Sequence, residues 1–238
     1  VLGHQPNDAI AIAQCRDVRI EDIQISQRYE AGDQESTGVI IFEAEDVKVE
    51  KVTAEGSFYG LKSEGSRSIT VKDNSFNRIA HVGVRVVNTH DALVENNRVA
   101  GTGMFDCYSA VDVVDPGPST RIKIQDNVLT ECSHGVFAVD NPPGSPTKRI
   151  SIRNNRIRMT IDAIVLMGLQ DSEVVANRVH LNGAGISLWG YATNNRIIGN
   201  FATGNVSFDL FHDETSVPNT WMNNTCVQTN GMEDIDCP

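Results

Sequence analysis

The chain has 238 residues, a formal net charge of -11 and a pI near 4.9, and 40% of its residues are hydrophobic. This acidity disfavours sequence-independent binding to nucleic acid or anionic lipid, so we expect neither as a partner. No stretch approaches the roughly eighteen apolar residues of a membrane span, and Val1 opens without a charged and apolar leader. We therefore expect no membrane insertion, and we expect that any export signal was removed or was never present.

An asparagine recurs in the frame apolar-x-x-Asn-x-apolar, with copies roughly 22 to 30 residues apart, a period typical of stacked repeats. Two earlier segments, around Ile23 and Val52, keep the frame with an apolar residue in place of Asn. Amides one strand spacing apart can hydrogen-bond to each other, so we predict an internal ladder rather than separate solvent-exposed turns. The asparagines are Asn74, Asn97, Asn127, Asn155, Asn177, Asn200 and Asn224.

Each repeat contains three short extended runs, and no segment has convincing helical periodicity. After the Asn comes a variable loop, and then a small residue begins an alternating strand, as in Gly38-Val-Ile-Ile and Ala110-Val-Asp-Val. Because alternation fixes which side chains point inward, we predict one buried aliphatic column. Its members are Val39, Leu61, Val84, Val111, Val136, Ile164 and Ile186.

Three strands in about 25 residues predict an all-β fold, a single-stranded parallel β-helix of about nine coils. The Asn ladder and the small-residue strand starts resemble the right-handed parallel β-helix of the pectate-lyase-like superfamily, over nearly the whole chain. This superfamily includes polysaccharide lyases, glycoside hydrolases, uronan epimerases and phage tailspikes, so the resemblance does not name a reaction. We expect one domain over residues 1–238, with a C-terminal cap at about 221–238. An N-terminal cap is apparently absent, so a preceding domain or a homo-oligomeric partner would cover that end.

Two pairs of cysteines are placed to form disulfides. Cys107 and Cys132 occupy the same repeat position in consecutive coils, and Cys226 and Cys237 could close a C-terminal loop. Cys15 is left unassigned. Together with two glycosylation-type triplets, these cysteines favour an oxidising compartment and a secreted or extracellular protein.

The residues that follow the buried column should project outward, side by side on one sheet. This outward column is Ile40, Lys62, Arg85, Asp112, Phe137, Val165 and Ser187. Two more columns flank it, and we expect one of the two to face outward. The first contains Phe58, His81, Tyr108 and Ser133, and the second Tyr59, Val82, Ser109, His134 and Asp162.

Long loops occur at both edges of this region. The segment 101–109 precedes one strand, and the segments 115–118 and 141–146 follow two others. Loops rising at both edges would form a groove suited to an extended sugar chain, so we expect a polysaccharide partner.

Uronate β-elimination is the reaction that these residues suit best. It needs a cation to neutralise the carboxylate and groups that move two protons. The candidate catalytic residues are Lys62, Arg85, His81 and Tyr108, and the candidate substrate-binding residues are Asp112, Phe137, His134, Tyr59 and Asp162. The chondroitinase B and alginate lyase families similarly use a Lys and an Arg one coil apart. This chain lacks their paired acidic calcium ligands and their Leu-Arg-His-Gly run.

Several alternatives remain open. Lys62, Arg85 and Asp112 could be an exposed charge ladder on a non-catalytic module, such as an adhesin, a tailspike-like stalk or a filament component. A glycoside hydrolase or a uronan C5-epimerase is a further possibility, although the epimerase Asp-Pro-His motif is absent. No cofactor is certain, but the acidic loop 29–35 could hold Ca²⁺, against the simpler interpretation of a solvated loop.

Overall fold

The computed structural model describes residues 8–28, 36–104, 106–114, 119–140, 147–230, 235 and 237. All the regular elements in these residues are β-strands. In chain order they are β1 (Ile10–Ala13), β2 (Arg16–Glu21), β3 (Gln24–Ser26), β4 (Thr37–Phe42), β5 (Glu45–Glu50), β6 (Thr53–Glu55), β7 (Tyr59–Glu64), β8 (Arg67–Lys72), β9 (Ser75–Ile79), β10 (Val82–Val87), β11 (His90–Glu95), β12 (Arg98–Gly101), β13 (Ser109–Val114), β14 (Lys123–Gln125), β15 (Val128–Thr130), β16 (His134–Val139), β17 (Ser151–Arg153), β18 (Arg156–Arg158), β19 (Asp162–Met167), β20 (Glu173–Val175), β21 (Arg178–His180), β22 (Ala184–Trp189), β23 (Arg196–Ile198), β24 (Phe201–Thr203), β25 (Phe208–His212), β26 (Thr220–Met222) and β27 (Thr229–Asn230).

The strands form three parallel sheets, and each coil contributes one strand to each sheet in turn. Sheet A has the order β1-β4-β7-β10-β13-β16-β19-β22-β25-β27, sheet B the order β2-β5-β8-β11-β14-β17-β20-β23-β26, and sheet C the order β3-β6-β9-β12-β15-β18-β21-β24. These sheets of ten, nine and eight strands confirm the predicted parallel solenoid and are close to the expected nine coils. Among the described residues, no helix could span a bilayer.

A left-handed residue makes the sharp turn from sheet B to sheet C in each Asn-bearing coil. This residue directly precedes the ladder Asn, as at Asp73 with φ 56° and Asn96 with φ 53°. Asn and Asp tolerate this conformation better than most residues, which explains why they recur at the position, although Ala176 also adopts it.

The predicted Asn ladder is confirmed. Each side-chain amide except that of Asn224, the last in the ladder, donates from Nδ2 to Oδ1 of the Asn in the next coil, for example over 2.9 Å from Asn74 to Asn97 and 3.0 Å from Asn155 to Asn177. Nδ2 also donates to a backbone carbonyl of the preceding coil, such as Ile124 for Asn155. Asn74 is the first rung, and its Oδ1 accepts a hydrogen bond from the backbone N–H of Val52, which occupies the Asn position in the preceding coil. The ladder therefore satisfies polar groups inside the solenoid.

The predicted aliphatic column is also confirmed, because each of its seven side chains is fully buried. The small residues before it are needed for close packing between sheets. A Cβ added at Gly83 would lie 2.3 Å from Cγ1 of Val99 and 2.5 Å from the carbonyl oxygen of Ala110. Sheet A can therefore approach sheet C only where the strand begins with a small side chain.

Both predicted disulfides are present. Cys107 and Cys132 lie in consecutive coils with their Cα atoms 4.5 Å apart, and Cys226 is bonded to Cys237 across 11 residues. Cys15 is a free thiol. The domain boundaries and the caps stay predictions.

Candidate functional site

The parallel register of sheet A brings the outward column together. Arg85 on β10 pairs with Lys62 on β7 and with Asp112 on β13, and Asp112 pairs with Phe137 on β16. These four residues therefore lie on consecutive coils, as the spacing predicts. The column is not a flat solvated surface, since Asp112 is only 1% exposed.

Side chains from both flanking columns contact the outward column at Phe137, Tyr108 from the first and His134 from the second, whereas Val82 and Ser109 of the second column are fully buried. The expectation that only one column would reach the outer face is therefore wrong. The ring of His81 stacks on Phe58 at 4.5 Å and lies 5.5 Å from Tyr108. The ring of His134 stacks on Phe137 at 4.7 Å and lies 5.2 Å from Tyr108. The columns converge because His81 and Tyr108 precede their strands, whereas His134 begins β16. We call six residues the aromatic cluster: Phe58, Tyr59, His81, Tyr108, His134 and Phe137.

Arg85 is held against this cluster. Its Nη1 donates to the Tyr59 hydroxyl over 3.2 Å, and its Cζ lies 5.6 Å from the centre of the Tyr59 ring. Its Nε lies 3.8 Å from Oδ2 of Asp112, too far for a hydrogen bond. This buried Nε has no hydrogen-bond partner in the part of the chain that the structure describes. The guanidinium is thus held by protein contacts, and its Nε is shielded from solvent, so a ligand would meet the guanidinium through its other nitrogens.

Asp112 lies beneath Arg85 with almost no contact with solvent. Burial raises the pKa of its carboxyl to about 7, and the nearby Arg85 and His134 oppose this rise without cancelling it. Its Oδ1 has no hydrogen-bond partner among the described residues. Near neutral pH, part of the population therefore carries an uncharged Asp112 and an Arg85 whose charge is not compensated.

The two groups placed to transfer protons differ in their acidity. Burial, and secondly the charge of Arg85, lowers the pKa of His81, so its imidazole stays neutral near pH 7 and can accept a proton. Burial, and secondly Asp112, raises the pKa of Tyr108, so its phenol keeps its proton. Tyr108 is 37% exposed and can be reached from solvent.

The remaining candidates lie at the edges of the cluster. Nδ1 of His134 lies 3.3 Å from Oδ2 of Asp162, but the geometry is not that of a hydrogen bond. Nζ of Lys62 lies 2.8 Å from Oε2 of Glu64. The sequence interpretation overlooked Glu64, although strand alternation places it on the same face as Lys62.

No group of three or more potential metal-ligating His, Cys, Asp or Glu residues occurs within the described ranges. The acidic loop 29–35 and the predicted groove walls 115–118 and 141–146 lie outside those ranges. Calcium binding and the height of the groove therefore stay predictions.

Two concave surfaces lie on the other sheets. A groove of about 560 Å³ on sheet B is lined by charges of both signs, including Asp91, Arg121 and Glu173. A groove of about 550 Å³ on sheet C is lined by Arg98, Val128, Arg156, Ile157, Arg158, Arg178 and His180. Neither includes the aromatic cluster, which is identified by its chemistry rather than by the depth of a cavity.

Residues 8–202 match the family described as the right handed beta helix region. The chain belongs to this family, because the match covers most of its length and the strand order is that of a parallel solenoid. No curated protein matches the sequence significantly.

Several solved structures share the fold at low sequence identity. The A-module of the mannuronan C-5 epimerase AlgE6 of Azotobacter vinelandii is 12% identical with a TM-score of 0.73, and the match covers 93% of this chain and 66% of that one. The pectate lyase Pel9A is 13% identical with a TM-score of 0.60, and the coverages are 96% and 70%. PfbA, a surface adhesin of Streptococcus pneumoniae, is 11% identical with a TM-score of 0.62, and the coverages are 95% and 74%. The likeness establishes a shared fold.

Proposed function

We propose that the chain is a secreted protein that acts on a uronate-containing polysaccharide at the aromatic cluster, and that it cleaves this polymer by β-elimination. One observation carries the proposal. A neutral imidazole, a guanidinium held by the Tyr59 hydroxyl and a protonated phenol lie on adjacent coils at His81, Arg85 and Tyr108. Two disulfides favour the secreted location.

The proposed reaction uses these three groups in sequence. Arg85 binds the uronate carboxylate and so makes the neighbouring C5 proton more acidic. His81 takes that proton, and the electron pair of the C5–H bond forms a double bond between C4 and C5. The bond from C4 to the glycosidic oxygen breaks, and Tyr108 gives its proton to the leaving oxygen.

The other predicted site residues have supporting roles in this proposal. The rings of Tyr59 and Phe137 offer faces for sugar packing. Asp112 and His134 tune the charge around Arg85, and Asp162 lies beside His134 at the edge of the cluster. Lys62 reaches the substrate only by exchanging its ion pair with Glu64, so it contributes less to carboxylate neutralisation than Arg85.

The similar structures agree with the proposed substrate class. Two of them are a mannuronan C-5 epimerase module and a pectate lyase, and both names refer to sugar polymers. Epimerisation at C5 would share the first proton transfer, so product analysis has to separate the two outcomes.

The test is incubation with alginate, polygalacturonate and chondroitin sulfate, followed by the ultraviolet absorbance of the unsaturated uronate product. The wild type should release this product from at least one polymer. Arg85→Ala and His81→Asn should each lose about a hundredfold or more of the rate, the range expected for a charge-stabilising or proton-transfer group.

Arg67→Ala is the matched control, because Arg67 is an exposed arginine on sheet B remote from the cluster. It should keep the wild-type rate. Equal activity in the wild type and Arg85→Ala would overturn the proposed site, and a change of C5 configuration without absorbance would replace elimination by epimerisation.

A non-catalytic glycan-binding module is the second candidate. The contacts of Lys62 with Glu64 and of Arg85 with Asp112 favour it, since they partly compensate both cations within the protein. This candidate predicts retention of the protein on an acidic glycan array with no product from any polymer.

A further inference from the structure

The outer face of sheet C carries a row of arginines that has no part in the proposed reaction. In register, Arg98 on β12 pairs with Val128 on β15, Val128 with Arg156 on β18, Arg156 with Arg178 on β21, and Arg178 with Phe201 on β24. At the usual strand spacing, this row runs about 14 Å from Arg98 to Arg178. We call it the arginine row.

A second strip lies beside the arginine row. Arg158 and His180 follow Arg156 and Arg178 by two positions, so strand alternation places them on the same face. Nδ1 of His180 lies 2.7 Å from the carbonyl oxygen of Thr203, to which it donates, and this contact fixes the ring at the edge of the groove. Both side chains line the same groove of about 550 Å³ as the arginine row.

Ion pairs among the described residues leave the charge of this face uncompensated. None of the arginines lining the groove belongs to an ion pair formed among the described residues. On the strands of sheet C, all of which are described, the one acidic residue is Glu55, which faces Arg78 at 3.4 Å in an earlier coil. A cluster of four unpaired arginines is unexpected in a chain with a net charge of -11, since most cations would be drawn to nearby carboxylates.

The row also offers apolar contacts in line with its charges. Val128 lies between Arg98 and Arg156, and the ring of Phe201 extends the row beyond Arg178. The ring of Phe201 is 41% exposed, and Cζ of Arg178 lies 5.3 Å from its centre. A row that combines guanidinium groups with apolar side chains suits a thin chain of anionic sugars. Arginine binds carboxylate or sulfate through two parallel hydrogen bonds, and aromatic rings pack against sugar faces.

We propose that the arginine row is a second binding site for an acidic polysaccharide, on a different sheet from the aromatic cluster. The row is narrow and lies on a strongly acidic molecule, so a duplex nucleic acid or an anionic membrane would meet more repulsion than a single sugar chain. The site shares its ligand class with the proposed function but does not depend on the reaction at sheet A.

The experiment measures binding of alginate, polygalacturonate and chondroitin sulfate by affinity electrophoresis at low ionic strength. The triple variant R98Q/R156Q/R178Q should bind the preferred polymer about tenfold or more weakly, a loss equivalent to one decade in the dissociation constant. The control K48Q/R67Q/R196Q removes the same charge from exposed positions of sheet B and should bind within about twofold of the wild type. Circular dichroism checks that each variant keeps its β-sheet signal.

Several results would overturn the site. The first two are that the triple variant binds the polymer as tightly as the wild type, or loses no more affinity than the control does. The others are that the wild type binds none of the three polymers, or binds duplex DNA or anionic vesicles more tightly than any of them. Arg85→Ala separates the two proposals, because it should lose about a hundredfold or more of the cleavage rate while keeping polymer binding at sheet C. The triple variant should conversely keep its cleavage rate on short oligouronates.

Discussion

The carboxyl group of Asp112 is buried beside Arg85 and His134, and its pKa is raised to about 7. The folded protein therefore holds a proton that the unfolded chain releases above its ordinary pKa of 3.8. This proton contributes its full stability below the pKa that Asp112 has in the unfolded chain. The contribution is lost as the pH rises through the pKa that Asp112 has in the folded protein. Strand alternation predicted the outward direction of Asp112, but burial of an outward side chain depends on its neighbours and could not be predicted from the sequence.

We expect Asp112→Asn to remove this pH dependence. Between about pH 4 and pH 7, the unfolding free energy of the wild type should fall relative to the variant by about 4 kcal/mol, because one pKa unit corresponds to roughly 1.4 kcal/mol. Denaturant unfolding across this pH range measures the difference. Asp126→Asn, at an exposed turn, is the control for the loss of one carboxylate. If the unfolding free energies of the wild type and Asp112→Asn changed in parallel with pH, the raised pKa of Asp112 would be contradicted.

At the scale of the element, the Asn ladder was predictable because one frame recurs in seven coils and the register aligns its members. A second ladder was not predicted. It links Asn182 to Asn205 over 3.0 Å and Asn205 to Asp209 over 2.8 Å. Asn182 and Asn205 follow sheet C strands, whereas Asp209 lies on β25 of sheet A, and the pattern recurs in too few coils to define a frame.

The ladder makes a direct prediction for Asn155→Ala. The variant loses the acceptor for the backbone N–H and Nδ2 of Asn127 and the donor to the Ile124 carbonyl, all of them buried. We expect a loss of about 3 kcal/mol in unfolding free energy, since unsatisfied buried groups are costly. Asn77→Ala is the control, because Asn77 bonds only locally to Ser75 on a partly exposed strand and should cost less than about 1 kcal/mol. Equal losses in denaturant titrations would show that the rungs add no stability of their own.

At the scale of the whole molecule, coil stacking turns residues far apart in sequence into neighbours. Applied to the sequence, this rule predicts the outward column of sheet A and the disulfides, where matching positions recur in adjacent coils. The arginine row was also predictable, because Arg98, Arg156 and Arg178 each directly follow a ladder Asn and so share one position of the frame, but Val128 interrupts the row. The direction of the two flanking columns was not predictable, because the sequence does not show how the chain enters each strand.

The most direct test of the central claim follows the C5 hydrogen itself. A polyuronate deuterated at C5 is incubated with the wild type and with His81→Asn, and nuclear magnetic resonance measures deuterium at C5 in the products. We predict that the wild type removes the deuteron, more slowly than it removes hydrogen, and that His81→Asn leaves it in place. A wild-type protein that binds the polymer and leaves the C5 deuteron untouched would contradict the claim that the aromatic cluster carries out chemistry at C5.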